Sequence, residues 1–318
     1  MRAQMKPRVS VVIASHRPDY IGACLDSLNA QQGMPGAIEQ IVVCDYPPAP
    51  LQKTYPAARW HFVNDTSISA KRNAGIRASR APIIAFIDDD CRADPDWIVR
   101  GCAYLGTHAD AAGVVGRTRI EHNAASGPAM GQFKRLERRG YRANNVFYRT
   151  RAVLDAGMFD ERFTVQREDI DLAFTLLEHG WRIDFDDTIQ VMHCYRTGEK
   201  WDLLKNCWNR RFDPLLYQKH RVRYRRHIRS PFTPGIGAVC FGYAVGTAGM
   251  VARTSLWPAY ILLALLPPLI LTARRVGTGT GAGGLEWFRE LSACAVSPFA
   301  LLAALVYGSL RYRSVLLF

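Results

Sequence analysis

Ile83-Ile84-Ala85-Phe86-Ile87-Asp88-Asp89-Asp90-Cys91 is the stretch that decides the fold. Five apolar residues in an unbroken run read as a strand buried on both faces, and such strands belong to mostly parallel sheets covered by helices on either side. The run stops on three adjacent carboxylates. Side by side they repel one another unless a cation neutralises them. An oxygen-rich cluster at a strand end therefore suits Mg²⁺ or Mn²⁺ bridging to a diphosphate better than it suits a plain acidic turn.

Outward from this stretch, strand and helix alternate. Val9-Ser10-Val11-Val12-Ile13-Ala14 and Ile41-Val42-Val43-Cys44 are short β-branched runs, and Trp60-His61-Phe62-Val63 is a further strand. Asp19 and Tyr20 open a helix whose Ile21, Cys24, Leu25 and Leu28 repeat at helical spacing, and Gly33, Pro35 and Gly36 end it. Residues 69–79 read as helical, and Asp94-Pro95-Asp96-Trp97 starts another helix. The predicted class is α/β with a mainly parallel sheet. Ligands of such sheets bind at the carboxyl ends of the strands, where Asp45 and Asp88–Asp90 both fall. The absence of a GxGxxG after the first strand, and of a Walker A pattern, argues against dinucleotide-binding oxidoreductases and P-loop enzymes.

The acidic stretch resembles the DxD motif of glycosyltransferases of GT-A fold, a Rossmann-like nucleotide-diphospho-sugar transferase architecture. Asp88 and Asp90 take the acidic positions and are both expected at the metal, Asp90 as the direct ligand, while Asp88 and Asp89 also lie beside the donor. Val11-Val12-Ile13-Ala14-Ser15-His16-Arg17 looks like the opening strand and donor loop of glycosyltransferase family 2. The resemblance thus assigns Ala14, Ser15, His16 and Arg17 to donor binding. Asp45 is similar to the family's carboxylate that pairs with the nucleotide base, and Lys71-Arg72-Asn73-Ala74-Gly75 to its donor-binding helix. Ala156-Gly157-Met158-Phe159-Asp160-Glu161-Arg162-Phe163 looks like the GxFDE segment, and Arg167-Glu168-Asp169-Ile170-Asp171-Leu172 like the xED motif. What this implies is a metal-dependent, inverting enzyme with a nucleoside-diphosphate sugar donor, UDP being the family's habit. Asp169 is then the general base with Glu168 in reserve, and His193 completes the metal shell.

Composition changes along the 318 residues. Charges are dense as far as Arg229, whereas 231–318 is mostly apolar, with long stretches at 236–252, 256–273 and 291–310. The net charge of +13 arises from 41 basic and 28 acidic residues. Its densest run, Lys219, His220, Arg221, Arg223, Arg225, Arg226, His227 and Arg229, directly precedes the apolar tail, as expected of a segment drawn to anionic membrane lipids. No helix-turn-helix, RNP or zinc-finger pattern accompanies the charge, so nucleic acid is not an expected partner. The eight cysteines form no CxxC pair and read as reduced core residues of a cytosolic compartment. The run 9–14 is too short for a signal peptide.

The predicted organisation is a catalytic domain at 1–198, an amphipathic and basic juxtamembrane segment at 199–230, and membrane-associated helices at 231–318. The catalytic domain would face the cytoplasm at the inner or plasma membrane, and the acceptor would be lipid-linked or a saccharide at that membrane. Trp201, Leu204, Trp208, Phe212 and Leu215 form one apolar stripe, read either as an in-plane membrane helix or as a helix packed on the catalytic sheet. Two rival readings remain. A nucleotidyltransferase of related fold needs a glycine-rich phosphate loop where Ala14-Ser15-His16-Arg17 stands, and a non-catalytic membrane scaffold needs no intact acids. Oligomeric state, donor sugar and linkage are left open by the sequence.

Overall fold

The computed structural model describes residues 6–33, 38–121, 134–194, 201–252, 255–277 and 283–315. They form two compact units, the first ending before 196 and the second continuing from there.

The first unit is built on one eight-stranded sheet. Its strands are β1 (Val9–Ser15), β2 (Ile38–Cys44), β3 (Arg59–Phe62), β4 (Ile83–Ile87), β5 (Cys91–Ala93), β6 (Ala111–Ile120), β7 (Asn145–Arg149) and β8 (Arg182–His193). They lie in the order β3-β2-β1-β4-β7-β6-β8-β5. The β1–β2, β2–β3, β1–β4 and β6–β8 pairs are parallel. The β4–β7, β6–β7 and β5–β8 pairs are antiparallel. Because β7 reverses direction and β6 reverses it back, the carboxyl ends of β1, β2, β4, β6 and β8 all reach the same edge of the sheet. The first residues of β5 and β7 open at that edge too. Chemistry carried just beyond Ser15, Cys44, Ile87 and His193 is thereby gathered in one place.

Helices α1 (Pro18–Asn29), α2 (Ala49–Thr54), α3 (Ile68–Ala78), α4 (Trp97–Thr107), α5 (Thr150–Asp155) and α6 (Glu168–Glu178) complete the unit. On one face of the sheet, Ile21, Cys24, Leu25 and Leu28 of α1 pack with Val9, Val11 and Ile13. On the other, Val12, Ile41, Ile84 and Phe86 pack with Ile76, Leu172 and Leu176. Both faces of β1 are covered, as its unbroken apolar sequence requires. Helix α3 buries several polar side chains, among them Lys71, Arg72 and Asn73. It sits very close to the sheet at Gly75, where a Cβ would come within 2.3 Å of a Val12 methyl. That approach sets the first turn of α3 over the strand ends.

The second unit holds α7 (Asp202–Asn209), a 3₁₀ turn (Arg210–Phe212), α8 (Asp213–Lys219), α9 (Arg221–His227), α10 (Pro234–Val251), α11 (Trp257–Val276) and α12 (Gly284–Tyr312). The last three are long and apolar enough to cross a membrane. The apolar stripe from Trp201 to Leu215 is not a single helix, because the chain tightens into the 3₁₀ turn and restarts at Asp213-Pro214, with proline in the first turn where its missing N–H costs nothing. Cys207 shares a small core with Ile236, Leu301 and Leu305. Gly308 of α12 closes on the Arg211 carbonyl, and the Trp208 and Tyr307 rings lie 5.4 Å apart. The stripe is therefore partly spent on the C-terminal half of α12.

Helices α10 and α11 meet through glycine. Gly242 faces the Leu263 carbonyl at a distance that a side chain would reduce to 2.4 Å, and Gly249 faces the Tyr260 ring. Leu263 is four residues before Pro267, which has no N–H to offer that carbonyl. A bare backbone on the neighbouring helix accommodates the break. Between α11 and α12, Arg275 Nε pairs with Glu290 Oε2 at 3.1 Å.

Candidate active site

The three carboxylates after β4 turn to different sets of neighbours, with Arg17 shared by Asp89 and Asp90, and the cations among these neighbours offset much of their mutual repulsion. Asp89 turns inward: its Oδ2 accepts from the Ser15 hydroxyl at 3.0 Å and from the backbone N–H groups of His16 at 2.9 Å and Arg17 at 3.0 Å. It folds the loop after β1. Asp90 reaches the other way, with Oδ2 at 3.3 Å from Arg17 Nη1 and Oδ1 at 3.3 Å from His193 Nε2. Asp88 is the most open of the three, its side chain 34% exposed, and its Oδ1 accepts from Arg72 Nη2 at 3.2 Å.

The first turn of α3 supplies the opposing charges. Lys71 Nζ donates to Asp45 Oδ2 at 2.9 Å and to the Ser15 carbonyl at 3.1 Å, and His16 Nδ1 meets the same Asp45 oxygen at 2.7 Å. Burial pushes the Asp45 carboxyl up, but the bonds from Lys71 and His16 outweigh it and hold the group below the usual carboxylate range. Arg72 donates through Nη1 to Glu168 Oε1 at 2.6 Å as well as to Asp88, so one buried guanidinium joins the DxD stretch to the xED stretch. Asn73 is turned to the polypeptide itself: its amide donates to the Phe159 carbonyl at 2.8 Å and accepts from the Phe159 N–H at 3.0 Å. With the Ser69 hydroxyl donating to the Phe163 carbonyl, α3 clamps the whole segment 159–163 that leads into α6.

Helix α6 begins on Glu168, and the residue before it, Arg167, has φ of +81°. A non-glycine residue in that left-handed conformation is strained, and it aims Glu168 and Asp169 from the helix start toward Arg72. Burial and the adjacent Asp169 push the Glu168 carboxyl up to about 7 against the pull of Arg72. Burial also raises Asp169, opposed by the charges of Arg72, Arg142 and Arg167. Glu168 Oε2 is buried without a hydrogen-bond partner. A carboxylate raised to about 7, as Glu168 is, is fitted to take up a proton near neutral pH, and Asp169 is shifted in the same direction.

Asp90, Cys91 and His193 each offer a ligand atom, all within 4.8 Å of one another. The antiparallel pairing of β5 with β8 sets Cys91 opposite His193 in register. His193 Nδ1 lies 2.9 Å from the Cys194 carbonyl. A carbonyl can only accept, so Nδ1 carries a proton in this contact, and Nε2 is the ring nitrogen that faces Asp90 and would ligate a metal. The 3.3 Å between Asp90 Oδ1 and His193 Nε2 suits two ligands of one small divalent cation with bonds of about 2.1 Å. Burial drives the Cys91 thiol well above its ordinary pKa, which keeps it protonated and a poor ligand for a hard cation.

The sequence-predicted residues thus come together around one sheet edge, although their side chains do not all face one space. Ser15, His16, Arg17, Asp45, Lys71, Arg72, Asp88, Asp90, Glu168, Asp169 and His193 converge, with Ala14 as part of the buried end of β1. Asp89 and Asn73 support from behind. Three contributors were given no role of their own from the sequence: Tyr46, whose hydroxyl lies 2.7 Å from Ser15 Oγ, Phe159 of the GxFDE segment, under the Arg72 guanidinium at 5.5 Å, and Arg142, whose charge acts on Asp169. Tyr46 is adjacent to Asp45 at a strand end and could have been found by position alone.

Comparison with known proteins agrees with this arrangement. Residues 10–163 match the model of the family described as Glycosyl transferase family 2. The crystal structure of S. aureus TarS 1-349 superposes with a TM-score of 0.51 at 14% identity, over 93% of this chain and 91% of that one. A crystal structure of GalNAc-T7 with UDP, GalNAc and Mn²⁺ gives a TM-score of 0.49 at 12% identity, over 67% of this chain and 50% of that one, so the match spans half of that chain's length. No curated protein sequence matches. At such identities the TarS likeness concerns the fold. The class defined by sheet order and family match is a glycosyltransferase domain of GT-A type. The chain carries a glycosyltransferase family 2 domain, followed by helices apolar enough to associate with a membrane.

Proposed function

We propose that this chain transfers a sugar from a nucleoside-diphosphate donor, UDP-linked by family habit, to an acceptor at the membrane, with inversion at the anomeric carbon. The observation that carries the proposal is the Arg72 bridge, which joins Asp88 at 3.2 Å to Glu168 at 2.6 Å and so ties the diphosphate side of the site to its acid pair. In this reading Asp45, held ionised by Lys71 and His16, meets the nucleotide base. The loop Ser15–Arg17, folded over Asp89, lies along the donor. Asp90 and His193, with Asp88 alongside, would hold Mn²⁺ or Mg²⁺, and the cation would neutralise the charge of the leaving diphosphate. Asp169 takes the proton of the acceptor hydroxyl as that oxygen attacks, and Glu168 shares the proton through the coupled pair. A single displacement inverts the configuration.

The acceptor is proposed to be lipid-linked, as in assembly of a surface polysaccharide or glycolipid, because three apolar helices follow the catalytic unit in the same chain. The basic run from Lys219 to Arg229 suits the anionic, cytoplasmic leaflet. The test is incubation of the full chain with Mn²⁺ and a panel of nucleotide sugars, using a lipid extract as acceptor source. Labelled lipid together with released nucleoside diphosphate is the expected result. Pyrophosphate release would replace this reading with nucleotidyl transfer, and no turnover of any donor would favour a scaffold.

A further inference from the structure

A second cluster of cations lies in the cleft between β6 and the segment 134–144. Arg117, Arg138, Arg139 and Arg142 line it against only two acids, Glu137 and Asp187. Two of these arginines are spent on the protein. Arg139 Nη2 pairs with Asp187 Oδ2 at 2.8 Å, and Arg142 donates to the carbonyls of Arg135, Leu136 and Arg138, folding the turn that forms one wall. Arg117 and Arg138 are different. Neither forms a side-chain hydrogen bond or an ion pair within 4 Å among the described residues. Arg117 is felt only at a distance by Asp187, whose carboxyl is held below its usual range by Arg139 first and then by the Arg117 charge.

The cleft is tied to the catalytic acids through Arg142. That side chain lines the cleft, and its charge also acts on the Asp169 carboxyl. Guanidinium groups gathered in a cleft repel one another, and their forked donors match the oxygens of a phosphate. We infer that this cleft receives a phosphate-class oxyanion carried by the acceptor, with Arg117 and Arg138 as its ligands. The inference rests on the reading of Asp169 as the base. It gives that reading a specificity: the preferred acceptor bears a negative charge near the hydroxyl that is glycosylated, and a neutral glycan is a poorer one.

The probe is glycerol phosphate, titrated by calorimetry into the full chain in phosphatidylcholine nanodiscs, with the donor site saturated by UDP and Mn²⁺. The Arg117→Ala/Arg138→Ala double variant should bind it about tenfold more weakly or worse, the worth of one or two charge-assisted hydrogen bonds. Arg151→Ala, which alters an exposed arginine paired with Asp155, should bind as the wild type does. A parallel arm with phosphatidic acid in the nanodisc separates the sources. Loss of glycerol phosphate affinity there assigns the oxyanion to a lipid headgroup, and unchanged affinity assigns it to a soluble acceptor. Equal affinity in the wild type and the double variant, or no binding in either, overturns the inference. Release of nucleoside diphosphate from donor into water is measured alongside and should be the same in both proteins. Its absence from both would defeat the transferase reading, while the calorimetry would still decide whether the cleft binds phosphate.

Discussion

His193 Nε2 stands 3.3 Å from Asp90 Oδ1, held there by the pairing of β5 with β8 and by the contact of the other ring nitrogen with the Cys194 carbonyl. Two residues far apart in the chain therefore present one oxygen and one nitrogen to the same point.

Asp90→Ala is expected to abolish metal-dependent donor binding, and His193→Ala to weaken it. Mn²⁺ titrations of donor binding by calorimetry check both. Undiminished activity of Asp90→Ala at ordinary Mn²⁺ concentrations would remove Asp90 from the metal site.

Asp169→Asn keeps size and polarity but cannot accept a proton. Turnover should fall by about 10²–10⁴-fold while donor affinity is nearly unchanged, because the base acts on the acceptor. Loss of donor binding together with turnover would make Asp169 a structural or donor-binding residue.

The acid pair also fixes a pH dependence. Glu168 is raised from an ordinary 4.5 to about 7, and Asp169 is raised with it. Turnover should therefore decline as pH falls through about 7, with an apparent pKa that belongs to the pair. Fold stability moves in the opposite sense. A carboxyl whose folded pKa is raised binds its proton more tightly in the folded state, so the contribution of Glu168 to stability is fully present below about 4.5 and is lost as pH rises toward 7. A profile flat from pH 5 to 8 would contradict this assignment.

Asp89→Ala and Asp88→Ala should separate in a thermal melt. Removing Asp89 strands two backbone N–H groups and leaves the Ser15 hydroxyl with Tyr46 alone, a loss of about 2 kcal/mol or more. Asp88 is partly exposed and makes one bond, so its removal should barely move the melting temperature while still impairing donor turnover. Equal melting temperatures would mean that the loop after β1 does not depend on Asp89.

Membrane pellets containing the full chain should retain it through high-salt and alkaline washes, because insertion of apolar helices is not screened by ions as surface charge is, over about 8–10 Å. Release by salt alone would show that α10–α12 are not embedded.

The parallel half of the sheet was legible in the sequence because β1, β2 and β4 carry short apolar runs, and β2 and β4 lead directly into Asp45 and Asp88. The far half was not. Strand β6 mixes glycine and arginine with valine in Gly113-Val114-Val115-Gly116-Arg117, and its glycines are explained only by the neighbours they admit, the Tyr148 ring and the Ile189 carbonyl. Such demands come from tertiary contact and leave no periodic trace. The identities of the site residues were readable as motifs, but the division of labour within them was not. Asp88, Asp89 and Asp90 look equivalent in sequence, and their different roles follow from the turn after β4, closed by the Cys91 N–H donating to the Asp88 carbonyl, which sends the three side chains to different neighbours. Arg72 could be expected near phosphates, yet its bridge to Glu168 spans elements with no spacing rule between them.

Helix α12 has 29 residues, about 43 Å at 1.5 Å per residue, whereas the hydrocarbon layer of a bilayer is about 30 Å thick. Upright in a membrane it would project by some two turns, and its far end is where Gly308 and Tyr307 meet Arg211 and Trp208. A thicker or thinner bilayer would change how much of that end stands clear, by tilt or by sliding. The grip of α12 on the segment 201–219 would then register the thickness of the surrounding lipid.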